Sequence, residues 1–153
     1  MLADGSDDYV NTRIIKFDSS ATFNMQCESP GVQSGAFDQL YGIAAHNNRI
    51  YLAEGGNSIL HIFDNQEAYI LQWKAKQVGR PYSVGVSSDA NTFILDGADQ
   101  PYNTRSRVVN LDTYGRVLDS FSAKKESDLD NLGHDIALGT MVLFMLLMHG
   151  AKC

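Results

Sequence analysis

Three stretches of the chain repeat one pattern, and that repetition restricts the fold more than any other feature. They are LADGSDDYVNTRIIKFDSSATF from Leu2, LAEGGNSILHIFDNQEAYILQW from Leu52 and ILDGADQPYNTRSRVVNLDTYGRVLDSF from Ile94. Each has an apolar strand, an acid followed by glycine, and a polar turn. A second apolar strand follows and ends in aspartate, and after a short turn a third strand ends in an aromatic. Asp18, Asp64 and Asp112 are equivalent in this alignment, and Phe23, Trp73 and Phe121 are matched loosely. Two of the units are preceded by a further strand, in YGIAAHNNRI and YSVGVSSDAN, and a third copy of it begins at GHDIALG. Ile43, Val84 and Ile136 are the matching positions.

The local chemistry agrees with short strands. Runs rich in Ile, Val, Tyr, Phe and Leu alternate with clusters of Gly, Asn, Asp and Ser. Pro81 stands just before a strand, where its missing N–H is tolerated. No long segment has the helical period; the one weak helix candidate lies near Ser122–Leu132. Four short antiparallel strands recurring every ~40–50 residues describe one blade of a β-propeller. A β-sandwich has turns at similar spacing but does not require its strands to repeat in sequence, so the repeat favours the propeller.

Composition narrows the partners. The chain has 153 residues, one domain's worth, and a net charge of −6 with Lys and Arg scattered. That balance argues against a nucleic-acid partner, which would need a basic face. Cys27 and Cys153 lie far apart in unlike contexts; a disulfide between them is possible, but two cysteines form no disulfide framework. The first residues include Asp4, Asp7 and Asp8 and no apolar core, so no signal peptide is expected there. The apolar run Met141–Met148 is too short to span a bilayer, which needs about 20 residues, and reads as a buried strand.

At these residues the chain resembles NHL-repeat β-propellers, and within that class it is most similar to peptidyl-α-hydroxyglycine α-amidating lyase. The resemblance covers residues 1–139 and rests on the acid–Gly turn with YVNTRI at Tyr9–Ile14, VGR at Val78–Arg80 and GHDIALG at Gly133–Gly139. It implies an all-β fold with about two and a half to three blades of a six-bladed ring. Residues 140–153 form an atypical apolar tail, read as a truncated blade strand or as sequence unrelated to the blade. The opening stretch reads as a blade whose earlier strands are missing.

The resemblance also implies a reaction: zinc-assisted cleavage of the C–N bond of a peptidyl-α-hydroxyglycine, giving a peptide amide and glyoxylate. In that family three histidines from different blades hold the zinc, a tyrosine is the general base, arginines hold charge, and a calcium ion binds nearby. Deprotonating an alcohol at neutral pH calls for such a Lewis acid and base, and three histidines with an open position suit catalytic zinc. Residue by residue, Tyr9 matches the catalytic tyrosine, His134 the third zinc histidine and Asp135 the calcium-associated aspartate. The plainer readings are a surface turn tyrosine, a histidine bonded to backbone and a carboxylate receiving backbone N–H groups.

Two positions depart from the family. Tyr41 stands where a zinc histidine is found, and Ile59 where a pocket arginine is found. The first zinc histidine and another arginine belong to blades that precede this chain. His46, in an exposed turn, His61, on a second-strand segment, and His149 are not expected to supply the missing ligands. Two functional expectations follow: an amidating-lyase-like propeller impaired by itself, or a non-catalytic NHL-repeat module that binds a peptide or protein. A third expectation concerns assembly, in which two chains close one ring as a homodimer.

Overall fold

The computed structural model describes residues 2–4, 13–27, 37, 39–66, 68–74, 78–97, 107–122, 133–138 and 144–148. They form thirteen strands and, among the described residues, no helix. No helix among them is therefore long and apolar enough to cross a membrane.

The strands fall into four antiparallel sheets in chain order. The first holds β1 (Leu2–Asp4), β2 (Arg13–Phe17) and β3 (Phe23–Cys27). The second is a meander of β4 (Leu40–His46), β5 (Arg49–Glu54), β6 (Ile59–Asp64) and β7 (Tyr69–Trp73). The third repeats it with β8 (Pro81–Val86), β9 (Thr92–Asp96), β10 (Arg107–Leu111) and β11 (Val117–Ser122). The fourth pairs β12 (Gly133–Leu138) with β13 (Phe144–Met148), so the terminal apolar run does contain a strand. The helix candidate near Ser122–Leu132 lies outside the described residues beyond Ser122, which ends β11.

The sequence repeat is reproduced in the hydrogen bonding. Asp18 and Asp112 directly follow the second strand of the repeat unit, and Asp64 ends it. Each accepts two backbone N–H bonds on Oδ1: Ser20 and Thr22 at 2.8 and 2.9 Å, Gln66 and Ala68 at 2.9 and 2.8 Å, Tyr114 and Arg116 both at 2.9 Å. A short side-chain acceptor that bonds its own backbone ahead is what fixes such a turn. In all three sheets the ladder slips just before the turn, at Lys16/Phe17, Ile62/Phe63 and Asn110/Leu111. Gly115 supplies the positive φ of 79° that its turn needs, and a side chain there would also meet the ring of Trp73.

The register corrects one alignment. Phe23 lies opposite Phe17 at the start of β3, and its counterparts are Tyr69 and Val117. The partner of Trp73 and Phe121 in the first sheet is Cys27, opposite Ile14. Matching aromatic to aromatic in sequence takes the start of β3 for its end, because the aromatic of the first sheet stands at the start of that strand.

Packing runs between the sheets. β5 and β9 are buried along almost their whole length because both faces are covered, so they read as continuous apolar runs. Ile14, Phe37, Leu40, Ile50, Leu52 and Phe63 fill the space between the first and second sheets. Tyr51, Ala53, Leu60, Ile62, Val84, Ile94 and Val109 are among those filling the next, and Phe93, Leu95 and Ile136 the last. β4 packs beside β8, and β8 beside β12, so the first strands of successive sheets lie side by side. β4 and β8 approach so closely that a Cβ on Gly42 would stand 2.7 Å from the Cα of Ser83. The Oγ of Ser83 in turn accepts the backbone N–H of Ile136 at 3.2 Å.

Candidate functional site

The entry to each first strand is irregular in the same way. Leu40 pairs with Glu54 and Gly42 with Ala53; Pro81 pairs with Asp96 and Ser83 with Leu95; Gly133 pairs with Met148 and Asp135 with Leu147. One residue is left over in each case: Tyr41, Tyr82 and His134. A bulge of this kind re-aims the extra side chain and recurs beside functional sites. The structure therefore puts Tyr41 and His134 at equivalent positions of β4 and β12, as the sequence alignment expected, and adds Tyr82 between them. Asp135 shares the next position with Gly42 and Ser83. The side chains of His134 and Asp135, and the whole of Tyr9 and His149, lie outside the described residues.

Around Tyr41 and Tyr82 the geometry is defined. The two rings are 4.9 Å apart between centroids. The guanidinium carbon of Arg80 sits 5.5 Å from each ring centroid, a distance at which a cation is attracted to the ring face. Arg80 Nη2 donates to Oε1 of Gln39 at 2.6 Å and to Oη of Tyr41 at 2.7 Å. The Tyr41 hydroxyl donates to the same Gln39 oxygen at 2.9 Å. Each tyrosine lies over the glycine of its own acid–Gly turn, so that a Cβ on Gly55 or Gly97 would overlap the ring of Tyr41 or Tyr82. Tyr41 remains 41% exposed, so the cluster opens to solvent at its outer side.

The acids of the turns anchor this cluster from behind. Asp96, almost fully buried, accepts the backbone N–H groups of Gly79 and Arg80 on Oδ1 at 3.0 and 2.9 Å. Its Oδ2 takes the Nε–H of Arg107 at 2.9 Å. Arg107 lies opposite Asp96 in the ladder, and the same register sets Arg13 opposite Asp4 and Ile59 opposite Glu54. Ile59 thus stands where the first and third sheets carry Arg13 and Arg107, and in the second sheet the acid has other partners. Glu54 bonds the Nε2 of His61 and accepts the side-chain N–H of Asn57 at 2.6 Å. Glu54 and His61 are both buried, with Phe37 edge-on to the imidazole at 5.4 Å. The His61 imidazole also lies against Phe63, with ring centroids 6.1 Å apart. His46 differs from expectation: it ends β4 half-buried, with its Nε2 shielded from solvent, because it pairs with Arg49 across the tight turn.

Sequence reasoning did not assign a role to Arg80, Gln39 or Tyr82. The signal for Arg80 lies in the VGR motif at Val78–Arg80. Among the described residues, no three His, Cys, Asp or Glu side chains are grouped as metal ligands.

No protein-family model matches the chain, and no curated protein is similar to it. Among solved structures it is similar to a crystal structure from Bacteroides fragilis of a protein named as exported, with a TM-score of 0.65 and 14% identity. The likeness covers 92% of this chain and 41% of the Bacteroides chain. At that identity it speaks for a shared fold alone.

Proposed function

We propose that the chain is a segment of an NHL-type β-propeller of the amidating-lyase kind, in which each four-stranded sheet is a blade. The observation that carries this reading is the shared bulged position of Tyr41, Tyr82 and His134 on three first strands packed side by side. In a propeller those strands line the central channel, where side chains distant in sequence can meet around one ligand. The reaction of that kind of ring is cleavage of a peptidyl-α-hydroxyglycine to a peptide amide and glyoxylate, with Tyr9 as the base. The zinc that assists it does not fit the described residues. Tyr41, at a zinc-ligand position, already shares hydrogen bonds with Gln39 and a guanidinium, and a phenol with a pKa of about 10 is a weak ligand at neutral pH. No step is therefore derived through the metal, and the chain by itself is expected to turn over poorly.

A second reading is favoured by the same cluster. A non-catalytic NHL module would use the Tyr41–Arg80–Tyr82 rim to hold a peptide or protein, aromatic faces and a guanidinium being the side chains most used at such contacts. One experiment separates the two. The purified chain is given a peptidyl-α-hydroxyglycine, and both glyoxylate release and peptide binding are followed. Glyoxylate release that disappears in Tyr9→Phe supports the lyase. Binding without release, retained in Tyr9→Phe and lost in Arg80→Gln, supports the module. Neither release nor binding rejects both.

A further inference from the structure

We infer that the guanidinium of Arg80 takes the place of a metal ion at this rim, so that zinc is excluded from the Tyr41 position. The inference rests on the propeller reading above, which supplies the equivalence of Tyr41 and His134, and it turns on where Arg80 is held. Its Nη2 stands 2.7 Å from the Tyr41 oxygen and gives that oxygen a proton to accept. A metal would need the same lone pair, and would need the phenol as phenolate. It would also have to approach a fixed positive charge at about the length of one hydrogen bond.

Arg80 is not placed to step aside. Its backbone N–H is bonded to buried Asp96 at 2.9 Å, and its carbonyl accepts the N–H of Gly97 at 2.9 Å. Its head is bonded to Gln39 and flanked by the rings of Tyr41 and Tyr82. The rings in turn sit on Gly55 and Gly97, which leave them no room to fold downward. A planar guanidinium held beside two adjacent aromatic rings is a pre-organised cation that a lysine would not reproduce in shape, though it would reproduce the charge. The position that a metal-binding ring would give to histidine is here a phenol on β4, and the arginine bonded to it also lies against a second phenol on β8.

The test is metal binding by the full 153-residue chain, read by equilibrium dialysis against zinc and by the tyrosine absorption spectrum. The wild type is expected to take up no zinc dependent on Tyr41, and zinc should leave the tyrosine spectrum unchanged. Tyr41→His alone should not create a site, because the guanidinium remains. Tyr41→His with Arg80→Met should bind zinc at least tenfold more tightly than Tyr41→His with Arg80→Lys, which keeps the charge. Stoichiometric zinc in the wild type that is lost in Tyr41→Phe overturns the inference, and that comparison needs no change at Arg80. Equal zinc affinity in the Met and Lys forms overturns it too, since the charge would then not be what excludes the metal. No peptide enters either readout, so failure of the lyase reading and failure of this inference are told apart.

Discussion

Asp18, Asp64 and Asp112 perform one task in three sheets, but Asp112 has a partner that the other two are not shown to have. The Nε of Arg116 donates to its Oδ2 at 2.6 Å, in addition to the two backbone N–H groups on Oδ1. Burial of the carboxyl pushes its pKa up. The N–H of Arg116, its guanidinium and the N–H of Tyr114 outweigh that and hold it below the ordinary carboxylate value. The folded pKa is thus lower than the unfolded one, which is about 3.9. The sign follows: the carboxylate's contribution is present above the unfolded value and is lost as pH falls through the folded one. Denaturant melts between about pH 5 and pH 2 should show stability falling on this limb. Asp112→Asn should flatten it, and an unchanged limb in that variant would mean that Asp112 is not linked to folding.

Strands and turns were readable because each is a local chemical decision. Alternating β-formers, an aspartate that bonds ahead and an acid–Gly pair all act within a few residues, so β4–β11 appear where the pattern puts them. The bulges were not readable. Nothing in the identities of Lys16 and Phe17 announces that the ladder slips there, and an aromatic at the start of β3 is no guide to the strand's far end, where Cys27 holds the place of Trp73. The rim was only half readable for a related reason. Tyr41 and His134 could be aligned along the chain, but Arg80 reaches Gln39 and Tyr41 across a gap between sheets. What joins those sheets is the close approach of β4 and β8, which rests on backbone geometry and on the absence of a side chain at Gly42. The tyrosine-over-glycine contact belongs to this class and is testable. Gly97→Ala pushes a methyl into the ring of Tyr82 and should cost roughly 1–3 kcal/mol, the usual range for overpacking. With Tyr82→Ala already in place, the same methyl meets open space and the cost should fall by about 0.5–3 kcal/mol in a double-mutant cycle. Equal costs in both backgrounds would place the strain in the backbone of the turn instead.

Four sheets follow one another in chain order, and among the described residues the main strand contacts between sheets join successive ones, so stability should divide accordingly. In such an array the total is approximately a sum of sheet terms and nearest-neighbour interface terms. Leu52 and Ile94 measure this, because both are almost fully buried aliphatic side chains on second strands of a sheet, yet they serve different interfaces. Leu52 packs with Ile14, Phe37 and Phe63 between the first and second sheets. Ile94 packs with Leu60, Ile62 and Val109 between the second and third. Truncation of either to alanine should cost about 2–5 kcal/mol. The distribution of that loss is the informative quantity. Hydrogen exchange in Leu52→Ala should accelerate most in β2, β5 and β6, while β9 and β10 keep their protection. In Ile94→Ala the loss should move to β5, β6, β9 and β10, and spare β2. The cross-sheet bonds differ as well: Lys16 Nζ reaches the carbonyl of Asn65 at 2.8 Å at the first interface, whereas Ser58 bonds the carbonyl of Gly79 and Arg80 bonds Gln39 and Tyr41 at the second. If both variants instead lose protection uniformly in every strand, the sheets unfold as one unit. The rim at Tyr41 and Arg80 would then depend on the whole stack and not on its two nearest sheets alone.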